Sequence, residues 1–314
     1  MRHDVRAQAP HVEMMYKSDN TNMQIFSHIF LRKEMVMAYK TILVHVDDSR
    51  QAAERIRIAA RLARAYDAHL IGAAATGISR YAFQGGATLP PDPSLAIHLE
   101  YLRQRAQRAL DQAEPLVQQE GLSTLEKRLL DDDASGGLGT LARYSDLVVI
   151  GQADPGEAAA TVLSDFPEYI VFTSGRPALI IPYAGAFASI GKRVLIAWDG
   201  GRSATRAVTD ALPLLRQAEL VQVALFNQDG TASQEPPLGS DIALYLARHG
   251  IKTELLPSRP SGNIGDSLLT LAADLGADLI VMGGYGHSRF REILLGGVTR
   301  TMLASMTVPV LMSH

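Results

Sequence analysis

Residues 277–303 read Ala277-Asp-Leu-Ile-Val-Met-Gly283-Gly-Tyr-Gly286-His-Ser-Arg-Phe-Arg-Glu-Ile-Leu-Leu-Gly296-Gly297-Val-Thr-Arg-Thr-Met-Leu303. The apolar run before Gly283 predicts a buried β-strand, and the residues after Gly297 predict a helix. Glycines between them let the backbone approach an anion closely, and free N–H groups at a helix start favour phosphate. This stretch therefore predicts a strand, a glycine-rich loop and a helix that together suit the phosphate tail of a nucleotide.

The spacing of these glycines does not fit two common nucleotide-binding loops. Two residues separate Gly283 from Gly286, and nine residues separate Gly286 from Gly296. No Gly-Lys-Ser or Gly-Lys-Thr sequence follows, as a Walker loop requires, and the glycine interval differs from the dinucleotide fingerprint. The loop therefore belongs to another class.

The glycine spacing resembles that of the universal stress protein family when it is taken with Asp199, at the end of an earlier apolar run, and with the closing run Val308-Pro-Val-Leu-Met312. The resemblance covers residues 38–314. Family members that bind ATP carry Gly-x-x-Gly, nine residues, and then Gly-Ser or Gly-Thr. In this chain Gly297 stands at the last position, and the nearby hydroxyls are those of Ser288 and Thr299.

The resemblance implies a nonenzymatic stress-response regulator that binds an adenine nucleotide, ATP or AMP, in its C-terminal domain, with magnesium bound only through the nucleotide. It also implies that two domains of one chain pair through the edge strands 179–181 and 308–312, which leaves other surfaces for a homodimer. No catalytic or metal-ligating residue is expected. The nucleotide-binding residues implied by the resemblance are Ala197, Asp199, Phe226, Met282, Gly283, Gly286, His287, Ser288, Gly296, Gly297, Val298 and Thr299.

Composition narrows the function classes. At 314 residues with 47% hydrophobic content, the chain can bury a full core and predicts two domains. With a net charge of −3 and a pI near 6.3, the chain has no net positive charge that would attract nucleic acid. The absence of cysteine excludes disulfides and thiolate metal sites and fits a cytoplasmic location. The apolar stretches fall short of the roughly 18 residues of a membrane span.

An internal repeat defines the predicted domains. Residues 40–47 align without gaps on residues 192–199, at an offset of 152, and residues 145–151 align on residues 277–283, at an offset of 132. Two homologous units follow. We expect an N-terminal extension over residues 1–37, either a mobile tail or a misassigned start, a first domain over 38–184, and a second domain over 189–314.

Each unit alternates apolar strands with amphipathic helices. Continuous β-branched runs such as Leu147-Val-Val-Ile150 favour central parallel strands, while Ile56, Ala59, Ala60, Leu62 and Ala63 fall on one helical stripe. The predicted fold is α/β, with two doubly wound parallel five-stranded sheets of the flavodoxin-like or Rossmann-like type in tandem. Ligands of such sheets bind beyond the carboxyl ends of the strands, where the strand order reverses.

The repeat also allows corresponding positions of the two units to be compared. The offset of 132 maps Gly286 onto Asp154, Gly296 onto Ser164 and Gly297 onto Asp165. A carboxylate repels phosphate, and a side chain blocks the close approach of the backbone. The first unit is therefore expected to keep its fold and pairing surface and not to hold a nucleotide in this way.

Alternatives remain open for individual residues and for the function. Asp199 could contact adenosine or cap the helix that begins near Gly201, and Phe226 could contact adenine or pack in the core. Two other function classes are a ligand-free interaction scaffold and a weak adenine-nucleotide hydrolase. For the hydrolase, the segment 199–203 faintly resembles a pyrophosphate loop, but it lacks a leading serine and a second aspartate in the expected place.

Overall fold

The fold is described from a computed structural model covering residues 38–79, 93–157, 162–226, 238–258, 262–284 and 297–314. Residues Tyr39–His314 form one compact unit. The predicted N-terminal extension, residues 1–37, lies outside the described residues, and the boundaries of the two domains stay a prediction. No helix within the described ranges is long and apolar enough to cross a membrane.

Strands and helices alternate along both halves of this unit. The first half contains β1 (Thr41–His45), α1 (Ala52–Tyr66), β2 (His69–Ala75), α2 (Pro93–Gln119), β3 (Glu126–Leu130), α3 (Ala134–Ala142), β4 (Leu147–Gly151), α4 (Phe166–Thr173) and β5 (Ala178–Ile181). The second half contains β6 (Arg193–Trp198), α5 (Arg202–Leu215), β7 (Leu220–Phe226), α6 (Leu238–Arg248), β8 (Thr253–Ser258), α7 (Ile264–Leu275), β9 (Leu279–Gly283), α8 (Gly297–Ser305) and β10 (Val310–Ser313).

The strands of each half form a parallel sheet with the same order. The first half runs β3-β2-β1-β4-β5, and the second runs β8-β7-β6-β9-β10. The order reverses between β1 and β4 and between β6 and β9, which is the doubly wound arrangement. The predicted fold class is confirmed, and each half has one switch point where a ligand is expected.

The two sheets join edge to edge into one sheet of ten strands. Strand β5 pairs with β10 in antiparallel orientation, and Leu179 lies opposite Leu311. This is the pairing that the resemblance implied, and it uses the predicted edge strands. Strand β10 begins at Val310, after Pro309, which has no N–H to donate to a ladder. The pairing leaves neither of these apolar edges open.

A side chain of the first half crosses this seam. Gln152, directly after β4, donates from its side-chain amide to the backbone oxygen of Leu303 in α8 at 2.9 Å, and its side-chain oxygen accepts from the backbone N–H of Tyr183. The residue at the repeat-related position is Gly284, where a Cβ would lie 2.9 Å from Val171 in α4. Gln152 and Gly284 therefore stand at repeat-related positions beside the seam, but they differ in side chain.

Burial of the inner strands accounts for the hydrophobic runs in the sequence. The four residues before Gly151 in β4 and the four before Gly283 in β9 are all buried. The predicted apolar stripe of α1 is also buried. The same face of α1 carries Arg55, which is only 3% exposed and has no place in a purely apolar stripe.

Candidate functional site

The switch point of the second half brings four predicted site residues together. Ala197 and Met282 are register partners near the carboxyl ends of the adjacent parallel strands β6 and β9. Asp199 follows β6, and Gly283 ends β9. Met282 is buried, and Ala197 is half-buried. The sheet therefore places these residues at one edge, where ligands of doubly wound folds bind.

Asp199 shapes the turn between β6 and α5. Its Oδ1 accepts from the backbone N–H of Gly201 at 2.7 Å, and a Cβ on Gly201 would lie 2.9 Å from that oxygen. Gly200, with φ of 73°, supplies the left-handed step that most side chains disfavour. The carboxylate therefore has a structural role at the start of α5, which was one of the two alternatives for this residue.

Gly283 has a packing role. A Cβ at this position would lie 2.5 Å from the backbone nitrogen of Ala204 and 2.8 Å from Cβ of Ser203, so a side chain does not fit between β9 and α5. Ser203 is buried in this contact. The glycine that opens the predicted phosphate loop is thus required by the close approach of strand and helix, whatever binds nearby.

Gly297 differs from Gly283 in this respect. It is the first residue of α8, it is exposed, and a Cβ built on it meets nothing within 4 Å among the described atoms. Val298 is half-buried and Thr299 is buried. Packing within the described residues therefore does not explain the glycine at position 297.

The other five predicted site residues lie wholly or partly outside the described residues. Gly286, His287, Ser288 and Gly296 lie outside the described residues. Phe226 is the last residue of β7, but its side chain also lies outside them. Across the described ranges, no group of three or more histidine, aspartate or glutamate side chains is arranged to hold a metal ion.

The equivalent switch point in the first half holds a cavity of about 380 Å³. Sequence reasoning expected only the fold and the pairing surface to survive in this half. The cavity lies at the carboxyl ends of β1 and β4. Its lining residues are His45, Asp47, Ser49, Gln51, Arg55, Gly151, Gln152, Ala153, Asp154, Pro155, Glu157, Val162, Leu163, Ser164, Phe166 and Tyr183.

A buried ion pair lines this cavity. The Arg55 guanidinium donates from Nη2 to Asp47 Oδ1 at 2.7 Å and from Nε to the backbone oxygen of His45 at 2.8 Å. Ser49 donates to Asp47 through both its hydroxyl and its backbone N–H. The side chains of Asp47 and Arg55 are 8% and 3% exposed. The second half has Ala197 and Ala207 at the positions that correspond to His45 and Arg55.

Burial and the ion pair together determine how the carboxylate and the imidazole ionise. Burial alone would raise the pKa of Asp47, but the Arg55 guanidinium, with His45 and Ser49, holds it well below its usual range. Burial lowers the pKa of His45 to about 4, and Arg55 acts in the same direction while Asp47 opposes it. Near neutral pH the cavity therefore contains a charged pair and a neutral imidazole.

The sequence contains a signal for this pair in the position of Arg55. Arg55 lies four residues before Ala59 and seven before Leu62, so it shares the buried stripe of α1. A charged residue in an apolar stripe needs a partner, because an unpaired buried charge is strongly unfavourable. Asp47, at the end of the preceding strand, is the partner in the fold.

Comparison with known proteins identifies a family similarity in the second half of the chain. A profile of the universal stress protein family, Usp, matches residues 191–314, which include both β6 and β9 and the whole glycine-rich stretch. Residues 191–314 therefore match the universal stress protein family. The resemblance inferred from the sequence is confirmed.

A curated universal stress protein and solved structures of the same fold are similar over more of the chain. Universal stress protein Slr1230 of Synechocystis sp. is 28% identical over 218 residues, which are 66% of this chain and 71% of that protein. A universal stress protein structure from Archaeoglobus fulgidus matches with a TM-score of 0.65 and 15% identity over 88% of this chain and 97% of its own. Protein PA1789 of Pseudomonas aeruginosa, described as functionally unknown, matches with a TM-score of 0.53 and 17% identity over 89% and 93%. These two structures support the fold alone.

The stability of this protein is expected to depend on pH through His45. Because its pKa is about 4 in the folded state and about 6.5 when unfolded, the unfolded chain binds more protons between these values. The free energy of unfolding should therefore fall by about 3 kcal/mol as the pH falls from about 6.5 to about 4, at about 1.4 kcal/mol per pKa unit. Urea unfolding at several pH values measures this slope.

His45→Ala should remove this part of the slope, since the second half already has Ala197 at the corresponding position. His98→Ala, at an exposed position of α2, is the control and should keep the slope of the unmodified protein. Equal slopes in the unmodified protein and in His45→Ala would show that the imidazole is not held neutral by burial.

Proposed function

We propose that this universal stress protein binds an adenine nucleotide at the switch point of its second half and acts as a nonenzymatic regulator of a stress response. The proposal is supported chiefly by Gly297. Packing among the described residues does not require a glycine there, yet it stands at the N-terminus of α8, where free N–H groups favour phosphate.

The neighbouring residues are compatible with this ligand. Ala197 and Met282 supply apolar surface beside the switch point, and Asp199 supplies a carboxylate that can accept hydrogen bonds from a nucleoside. The loop residues Gly286, His287, Ser288 and Gly296 would surround the phosphates, as the family resemblance implies. ATP and AMP both suit this arrangement, and magnesium would enter only with the nucleotide.

The setting of this function is also part of the proposal. The chain acts in the cytoplasm as two domains, residues 38–184 and 189–314, paired within one molecule. A further homodimer through other surfaces is compatible with this arrangement, and neither nucleic acid nor a membrane is needed as a partner. Occupancy of the nucleotide site would bias the surface that the paired domains present to other proteins.

Thermal unfolding with nucleotides tests the proposal. A ligand that binds only the folded state at 100 times its dissociation constant adds about 2.7 kcal/mol, which raises the melting temperature by several degrees. We expect such a shift with ATP, ADP or AMP. Gly286→Asp should abolish it, because the substitution places a negative charge and a Cβ beside the phosphates. Calorimetric melting of both proteins with each nucleotide measures the shift.

Asp154→Gly is the matched control, because Asp154 occupies the repeat-related position in the first half, and it should keep the full shift. An undiminished shift in Gly286→Asp would show that phosphates do not sit on this loop. The absence of any shift, with and without magnesium, would refute the nucleotide site.

A ligand-free interaction scaffold is the second candidate. It is favoured by the ten-stranded sheet, because the pairing of β5 with β10 gives the chain a dimer-like form without any ligand. Loss of the nucleotide shift with a fully folded chain would favour this function.

A further inference from the structure

The cavity of the first half has the size and lining of a small-molecule site. Its volume of about 380 Å³ lies within the range of ligand pockets, although at the lower end. One wall is apolar or aromatic and includes Val162, Leu163, Phe166 and Tyr183. Phe166 is held in place by burial and by a ring contact with His45 at 5.0 Å between centroids. The wall can therefore receive a flat or apolar body.

The innermost charges of the cavity cancel. Asp47 and Arg55 form a close ion pair, and Arg55 Nε is also engaged by a backbone oxygen. His45 is neutral near pH 7, because burial lowers its pKa. This part of the lining carries no net charge, so it does not attract an anion despite the guanidinium.

The outer part of the cavity is acidic. Asp154 Oδ1 accepts from the backbone N–H of Gly156 at 2.8 Å, and both oxygens of Glu157 accept from the backbone N–H of Arg50 at 3.2 Å. Both carboxylates are half-buried. In the part of the chain that the structure describes, no lysine or arginine side chain forms an ion pair with either of them. These two carboxylates therefore give the lining of the cavity a net negative charge.

We propose that this cavity binds a small organic cation, with its ammonium group near Asp154 and Glu157 and its flat or apolar body against the accessible side chains of Leu163 and Tyr183. An ammonium group would gain charge-assisted hydrogen bonds from the carboxylates, and aromatic faces attract cations. A phosphate would be repelled by the same carboxylates. The site differs in place and in ligand charge from the proposed nucleotide site, so either can fail without the other.

Three ligands of nearly the same shape distinguish the effect of ligand charge on affinity from the effect of ligand shape. Tyramine carries an ammonium group, tyrosol carries a hydroxyl in its place, and 4-hydroxyphenylacetate carries a carboxylate. With the full chain in isothermal titration calorimetry, tyramine should bind at least about tenfold more tightly than tyrosol, and 4-hydroxyphenylacetate should bind weakest. Equal affinities for the three, or no binding of tyramine, would overturn the proposal.

The location of the binding site is tested with substitutions that remove the two negative charges but keep the hydrogen bonds accepted from backbone N–H groups. Asp154→Asn combined with Glu157→Gln retains an acceptor oxygen at each position and should bring the affinity for tyramine to that for tyrosol. Glu219→Gln is the control. It removes an exposed carboxylate of the second half, 69% accessible, and should keep the tenfold preference. A preference that survives in the double variant would show that tyramine binds elsewhere and would overturn the assignment.

The same double variant separates this proposal from the nucleotide site. It should keep any melting shift that ATP, ADP or AMP produces in the unmodified chain, because the two switch points use different carboxylates and loops. Loss of that shift in the double variant would contradict the independence of the two sites.

Discussion

Val310→Asp is expected to destabilise the chain by at least about 3 kcal/mol. Val310 is fully buried and lies between Ile180 of β5 and Ile280 of β9, at the junction of the two halves of the sheet. A carboxylate there would have apolar neighbours on both sides, and a buried charge without a partner costs several kcal/mol. Since domains are stable by only about 5–15 kcal/mol, a large part of the stability would be lost. Urea unfolding measures the difference.

Thr307→Asp is the control for this prediction. It adds the same charge three residues earlier at an exposed position, where substitutions usually change stability by less than about 0.5 kcal/mol. If Val310→Asp were as stable as Thr307→Asp, the β5–β10 seam would not be a buried part of the folded chain.

Arg55→Met should cost about 3–5 kcal/mol. The methionine can fill the apolar part of the site, but Asp47 would remain buried without its cation, and breaking a buried pair from one side is strongly destabilising. Asp47→Asn in the same chain should restore part of the loss, because a neutral amide needs no counter-charge. A double-mutant cycle in urea gives the coupling between the two residues.

Arg128→Met is the matched control, because Arg128 is 57% exposed and pairs with Glu126 on the surface. Exposed pairs contribute about 0–1 kcal/mol, so this variant should unfold nearly as the unmodified chain does. A loss in Arg55→Met no larger than in Arg128→Met would contradict the buried pair.

The strands of the sheet could be predicted from sequence, because strongly local patterns determine them. Runs such as Leu147–Ile150 are apolar throughout, and only a strand covered on both faces accepts such a run. Because the two halves repeat the same pattern, strands predicted in one half could also be predicted at the corresponding positions of the other half. Pairing of β5 with β10 came from the family resemblance rather than from a property of the strands themselves.

The details of the sites depend on contacts between elements, which periodicity does not reveal. The need for glycine at position 283 comes from the backbone of Ala204 on another element. The first-half cavity depends on Arg55 reaching across from α1 to Asp47 after β1. Sequence comparison of the two halves concentrated on the loop positions and therefore missed it. A structural role for Asp199 was expected at this strand-to-helix turn, but it holds the backbone N–H of Gly201, the N-cap residue, and does not itself cap α5.

The hydrogen bond from Gln152 to Leu303 has a consequence for how such a chain can diverge. Two identical subunits must carry the same residue at both crossings of their interface, so any change is made twice. Here Gln152 stands at one crossing and Gly284 at the other, which is possible because the two halves are separate segments of one chain. A duplicated gene can in this way keep a shared architecture while each half acquires a different ligand preference.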